Sequence, residues 1–365
     1  MKTIQDIFGA YSPSYLELYG DKIPSQHLKV IQAILKCKTP GSGTLVYRCQ
    51  HCSTIHTLHL GCGNRHCPGC QYGKTSAWLQ RQSLRQLPGP HFMVTFTVPK
   101  ELRKFIRTHT RLGYSELFSA SSASLKKLAA DMKFCGGEYS GFMGVLHTWG
   151  RQLQYHPHIH YLVPGGALSQ DKDKWLPTTN KFYLPVHALS MIFRAKMRDA
   201  FDAAGVLNQI PAEVWQQAWN VNCKPVGNGA FTLKYLAPYV FRVAISNSRI
   251  LKVEEDKVHI RYKKSGSNRP RTLVLSALEF LRRFLQHVLP TGFMKVRYFG
   301  FMNPNFSIPL EKIRDLIKSS GICTKKEILA IATTITLPVS IICSECGGNL
   351  LLQCIILPER VWLPG

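Results

Sequence analysis

Tyr155-His156-Pro157-His158-Ile159-His160-Tyr161-Leu162 sets three imidazoles on alternate positions of a β-prone run. Strand side chains alternate with period two, so His156, His158 and His160 share one face. An apolar core cannot satisfy three neighbouring imidazoles cheaply, and neutral imidazole is the commonest protein ligand for metals. The run therefore reads as a metal or phosphate-handling site carried on a strand.

Working outward, residues 142–146 and 152–163 read as two strands around a turn at Trp149-Gly150, a hairpin. The β-branched and aromatic run His91-Phe92-Met93-Val94-Thr95-Phe96-Thr97-Val98-Pro99 predicts another strand. Helical patterning covers 1–36, about 72–87, 100–132, 186–204, 211–219 and 230–243. Residues 249–262 are strand-like. An amphipathic helix is expected over 275–289, with Leu278, Leu281, Leu285 and Val288 on one face and Arg282, Arg283 and Gln286 away from it. This mixture of antiparallel strands and helices argues for the α+β class. Pro88-Gly89-Pro90 marks a boundary, and the tail beyond Phe301 forms a smaller unit. Three regions are expected: a helical and cysteine-rich module over 1–90, a central domain over 91–300, and a small C-terminal region over 301–365.

The formal net charge of +25 is unevenly placed over 365 residues. Stretches 22–100, 139–170 and 214–253 contain no Asp or Glu, while Lys and Arg recur. Acid-free stretches of that length predict a polyanionic partner, nucleic acid first. A membrane surface fits less well, because no basic amphipathic helix stands alone at either end. No apolar stretch approaches the ~20 residues needed to span a bilayer. The first residues lack a basic segment followed by an apolar one, so a cytoplasmic protein is expected.

Twelve cysteines in a chain of this size, without an export signal, point to metal rather than disulfides. Cys49-x2-Cys52 and Cys67-x2-Cys70 are two thiolate pairs suited to one tetrahedral zinc site. Four ligands leave no open position, so that zinc is structural. Cys37, Cys62 and His66 lie near enough to replace one ligand or to build a second site. Cys343-x2-Cys346 is half of a further site, a zinc knuckle in the tail, with Cys354 and Cys323 as candidate partners.

Tyr235 and Tyr239 stand four apart, with Arg242 three further on, and a helix projects all three from one face. An aromatic stripe on a core is the plain reading. Lys234 and Arg242 flank the pair without a nearby carboxylate, however. Cationic surroundings help a phenol of ordinary pKa ~10 act as a nucleophile. Pro238 inside such a helix removes a hydrogen bond and kinks the axis.

Taken together, these residues resemble the two-tyrosine rolling-circle transposases of bacterial insertion sequences, within the HUH endonuclease superfamily. The likeness rests on Cys49 to Cys70 with Asn64-Arg65-His66-Cys67-Pro68-Gly69-Cys70-Gln71, and on the strand Phe92-Met93-Val94-Thr95-Phe96-Thr97-Val98-Pro99. It continues through His147-Thr148-Trp149-Gly150, His158-Ile159-His160, Tyr235-Leu236-Ala237-Pro238-Tyr239, Arg242-Val243-Ala244-Ile245-Ser246-Asn247, and the run from Phe280-Leu281-Arg282-Arg283-Phe284 to Phe299-Gly300. It covers roughly 37–300. The resemblance implies an HUH-like antiparallel sheet with flanking helices, preceded by a transposase zinc-binding, DNA-binding module.

It further implies that His158 and His160 bind Mg2+ or Mn2+ as a Lewis acid for the scissile phosphate. The third ligand is His147 or His156. His147 is preferred, because the hairpin brings it across from the motif. Tyr235 or Tyr239 would then attack single-stranded DNA at element ends or target, giving a 5′-phosphotyrosyl link and needing no nucleotide cofactor. Lys234, Arg242 and Trp149 are candidate DNA contacts, Trp149 by base stacking or else as a core residue. The protein would join the bacterial nucleoid when bound to DNA; its oligomeric state stays open. Plasmid replication initiators and conjugative relaxases share this chemistry, and a non-catalytic DNA-binding derivative would keep the motifs. A histidine-triad nucleotide hydrolase fits the histidine string but leaves the cysteines, tyrosines and charge unexplained.

Overall fold

The computed structural model describes residues 3–228, 240, 244–264, 266–267, 269–321 and 341–358, the side chains of 72–77 and 228 excepted. In chain order its strands are β1 (Thr44–Cys49), β2 (Ile55–His59), β3 (Pro90–Thr97), β4 (Phe142–Trp149), β5 (Tyr155–Pro164), β6 (Gly166–Leu168) and β7 (Trp175–Pro177). They continue with β8 (Asn220–Asn228), β9 (Ile250–Glu254), β10 (Lys257–Lys263), β11 (Pro270–Ser276), β12 (Val296–Phe299) and β13 (Leu350–Ile356). Two compact units result: 75–240 with 289–333, and 1–74 with 241–288 and 334–365.

The larger unit is built on an antiparallel sheet of order β12-β4-β5-β3-β8. Both faces of β5 are set by its alternation. Ile159, Tyr161 and Val163 point with Phe92, Val94 and Phe96 of β3 into the core. Helices Thr110–Ala130 and Val186–Ala203 cover that face, contributing Leu117, Phe118, Leu189 and Phe193. Phe96 meets Tyr161 and Phe193 edge-on, at 5.8 and 5.0 Å between ring centroids. The buried Tyr161 hydroxyl is hydrogen-bonded to Ser121 Oγ at 2.7 Å. This is the expected α+β class, an antiparallel sheet with flanking helices.

Three expectations change in detail. The helix expected over 211–219 is only Glu213–Gln216, and β8 follows as an edge strand. An edge tolerates Pro225, whose missing N–H would break a central ladder. Residues 249–262 are two strands, because Glu255 and Asp256 both take left-handed φ (47° and 58°) and close a tight hairpin. The helix of 275–289 is Ala277–Leu285, capped by Ser276 Oγ accepting from Glu279 N at 3.3 Å. Its buried face centres on Phe280 and Phe284 and leaves Leu278 half-buried.

The smaller unit differs from the expected linear division at residues 90 and 300. Thr3 and Asp6 form a reciprocal cap that starts helix Ile4–Tyr19. Phe8 of that helix packs edge-on against Phe284, 5.2 Å away between centroids. β13 runs antiparallel along β1, so the sheet β13-β1-β2 joins the tail to the cysteine-rich segment. Non-local pairing of this kind leaves no mark in composition.

Phe96 is fully buried. Phe96→Ala should cost about 3–5 kcal/mol by cavity formation, read as a lower urea midpoint for the larger unit at unchanged slope.

Candidate metal centres and the histidine face

Antiparallel pairing puts residues that face each other across the ladder on the same side of the sheet. His147 of β4 lies directly opposite His158 of β5. Thr95 and Thr97 of β3 lie opposite His160 and His158. The face turned away from the core therefore gathers His147, His158 and His160, whose ring nitrogens come within 4.8 Å of one another. Ring centroids are 5.3 Å apart for His147–His158, and 4.8 Å for both His147–His160 and His158–His160.

Hydrogen bonds fix these rings. His158 Nδ1 donates to the His156 carbonyl at 2.6 Å, which leaves the lone pair on Nε2. His160 Nδ1 is 2.9 Å from Thr95 Oγ1. A Thr hydroxyl accepting there sets the same tautomer. Trp149 stacks on His147 at 4.9 Å, and the Lys295 ammonium lies 4.9 Å from the Trp149 ring centroid. His156 is half-buried beside His158, at 5.0 Å between rings, and stands outside the three-histidine group. Arg103 has no motif of its own, and Thr95 lies in the strand run 92–99 that carries part of the resemblance. Thr95 is one of three polar positions, with His91 and Thr97, in an otherwise apolar strand. Arg103, on helix Leu102–Thr108, is near enough that its charge disfavours protonation of His156 and His158. Its Nε is buried with no hydrogen-bond partner among the described residues. Lys234, Tyr235, Tyr239 and Arg242 lie outside the described residues.

The cysteines sort into two groups, and the pairing differs from the one expected. Cys67 and Cys70 join Cys37 and Cys62, whereas Cys49 and Cys52 meet Cys343 and Cys346. Within the first group, Sγ···Sγ distances are 3.4 Å for Cys37–Cys70, 3.5 Å for Cys37–Cys67 and 3.6 Å for Cys62–Cys70. A tetrahedron with Zn–S of ~2.3 Å has edges of about 3.8 Å, so these sulfurs need only expand slightly. The reason for the exchange is local. Cys37 ends helix Ser25–Lys36, and Lys38 N donates to Leu60 O at 3.0 Å, which draws that end to the Cys62 loop. His66 lies in neither group, Cys354 sits exposed on β13, and Cys323 is outside the described residues.

Comparison with known proteins supplies the family. A model described as "putative transposase" matches residues 141–307, and one for a transposase zinc-binding domain matches 7–98. A putative transposase of Sinorhizobium fredii is 34% identical over 338 residues, covering 87% of this chain and 84% of that protein. The chain belongs to this transposase family. The transposase for insertion sequence element IS801 of Pseudomonas savastanoi pv. phaseolicola is 26% identical to it, covering 75% of this chain and 70% of that one. No solved structure matches the chain.

The transposase is thus an enzyme that acts on DNA, and its zinc-binding match contains all four sulfurs of the first group. Cys37, Cys62, Cys67 and Cys70 are the residues that would hold structural Zn2+. Hydrogen bonding from the Cys62 thiol pulls the Cys67 pKa down to about 5, while burial pushes Cys37 up to about 11. One thiolate thus forms readily beside the protonated Cys37 thiol, and binding of a divalent cation would displace that proton. Among the described residues, no helix of the transposase is long and apolar enough to cross a membrane.

Burial holds His158 at about 4 and His160 at about 3, the latter helped by its histidine neighbours. Both rings are therefore neutral at pH 7, the form that binds metal. Their folded pKa values lie below the unfolded ~6.5, so the unfolded chain takes up protons that the fold refuses. Their share of stability is complete above pH ~6.5 and declines as pH falls toward 4. Urea denaturation at stepped pH should show that decline, and His160→Gln should make it shallower.

Proposed function

We propose that this transposase cleaves and rejoins single-stranded DNA at the ends of an insertion sequence, by rolling-circle transfer with Tyr235 or Tyr239 as nucleophile. The observation that carries the reading is the meeting of His147, His158 and His160 on the sheet face away from the core. His147, His158 and His160, as neutral imidazoles on one face, would hold a divalent cation there. Mg2+ or Mn2+ is the cation proposed for that place. When bound, the cation supplies Lewis-acid polarisation of the scissile phosphate.

The chain's own groups do the rest. The tyrosine oxygen attacks phosphorus, the P–O3′ bond breaks with its electron pair on O3′, and the phenolic proton ends on that 3′-hydroxyl. The 5′-phosphotyrosyl ester keeps the bond energy, so a second strand's 3′-hydroxyl can reverse the step without a nucleotide cofactor. Arg103, whose charge is felt at His158 and whose Nε has no hydrogen-bond partner among the described residues, would meet the negative phosphate. Thr95 holds the His160 ring in its ligating orientation. Trp149 positions His147, and Lys295 adds positive charge at the same end of the site.

The test is a covalent adduct on labelled single-stranded oligonucleotides spanning element ends, with Mn2+ present. Adduct should form, vanish with EDTA, and vanish in the double variant Tyr235→Phe with Tyr239→Phe. Persistence in that double variant overturns the reading. Arg103→Ala should slow adduct formation about 100-fold or more, the usual cost of removing one donor to a charged transition state. Thr95→Val should lower Mn2+ affinity or rate about 10–100-fold, as loss of a ligand's outer partner does.

A further inference from the structure

Cys49, Cys52, Cys343 and Cys346 stand apart from the zinc cluster assigned above. Their ligand atoms lie within 4.8 Å of one another, with Sγ···Sγ of 3.4 Å for Cys49–Cys346 and 3.7 Å for Cys52–Cys343. Residues 343 and 346 fall outside both matched segments, 7–98 and 141–307.

The two Cys-x2-Cys turns are built alike. Cys49 N donates to Thr54 O (2.9 Å), and Ser53 N donates back to Cys49 O (3.1 Å). Cys343 N donates to Gly348 O (2.7 Å), and Gly347 N donates back to Cys343 O (3.0 Å). Ser53 and Gly347, each one residue past the second cysteine, both take left-handed φ, 62° and 73°. Glycine takes that conformation freely; serine takes it only at a cost. One turn recurs at two distant places, each presenting two sulfurs to the same point. Gln50 N donates to Asn349 O at 3.0 Å and locks the turns together. Cys49 Sγ also receives a donor, His51 N at 3.4 Å, and His56 Nε2 lies 3.2 Å from Cys343 Sγ. A backbone donor of that kind suits a thiolate at Cys49.

We propose that Cys49, Cys52, Cys343 and Cys346 form a second tetrathiolate Zn2+ site, which fastens the C-terminal strand β13 to the N-terminal segment. The site is closed, with four protein ligands, and its role is structural. β13 needs that help. It carries exposed Leu351, Leu352, Ile355 and Ile356, so little apolar burial holds it to β1. Its pairing also closes a very long loop, an entropic cost that a metal clip offsets.

Full-length protein incubated with Zn2+ and desalted should retain about two zinc ions per chain by elemental analysis. Cys343→Ser with Cys346→Ser should retain about one, and Cys346→His, a ligand swap, about two. One ion in the wild type, or two in the double serine variant, overturns the proposal. If the serine variant does not fold, thiol alkylation of the wild type decides. Cys343 and Cys346 should react at least ten-fold more slowly than exposed Cys354 until a chelator is added. Equal reactivity of all three before chelation overturns the proposal.

Discussion

The register that sets His147 opposite His158 is the constraint on which the histidine face depends. A slip of one residue in the β4–β5 ladder would turn His158 and His160 into the core and bring Ile159 and Tyr161 out. The core forbids that slip. Tyr161 is held by Ser121 and wedged between Phe96 and Phe142, while Ile159 is fully buried. Apolar packing on one face thus fixes the aim of three imidazoles on the other. The histidines need not stabilise their own arrangement, and burial even works against their charged forms. Chemistry and stability are divided between alternate residues of one strand.

A second division of labour concerns the cysteines. Each Cys-x2-Cys turn is a local object, specified by a few backbone hydrogen bonds, but it supplies only half of a tetrahedral site. The partner must come from elsewhere in the fold. The Cys67 turn finds Cys37 at a helix end and Cys62 in a neighbouring loop, whereas the Cys49 turn meets the tail.

This explains what could be read in advance. The hairpin and the shared histidine face follow from period-two alternation, which is a property of neighbouring residues. His147 was legible as a candidate because a hairpin joins adjacent segments. The pairing of thiolate turns was not legible, since spacing along the chain favoured Cys49 with Cys67 and offered Cys343 only Cys354 and Cys323 as partners. The edge strand β8 was hidden by its polar Asn-Val-Asn-Cys-Lys-Pro-Val-Gly-Asn run, which has little apolar alternation. Arg103 lacks any motif because its place beside the histidines comes from the packing of its helix.

The β1–β13 ladder has a consequence for how the chain is made. β13 leaves the ribosome about 300 residues after β1. At bacterial-like synthesis rates of about 5–20 residues per second, that interval is roughly 15–60 s. Through it, one edge of β1 stays unpaired, and Cys49 and Cys52 wait without the sulfurs they meet in the finished fold. A nascent chain therefore cannot complete the β13-β1-β2 sheet until β13 is translated. A message broken before codon 343 yields a protein whose defect appears near its N-terminus, in a segment whose own codons are intact.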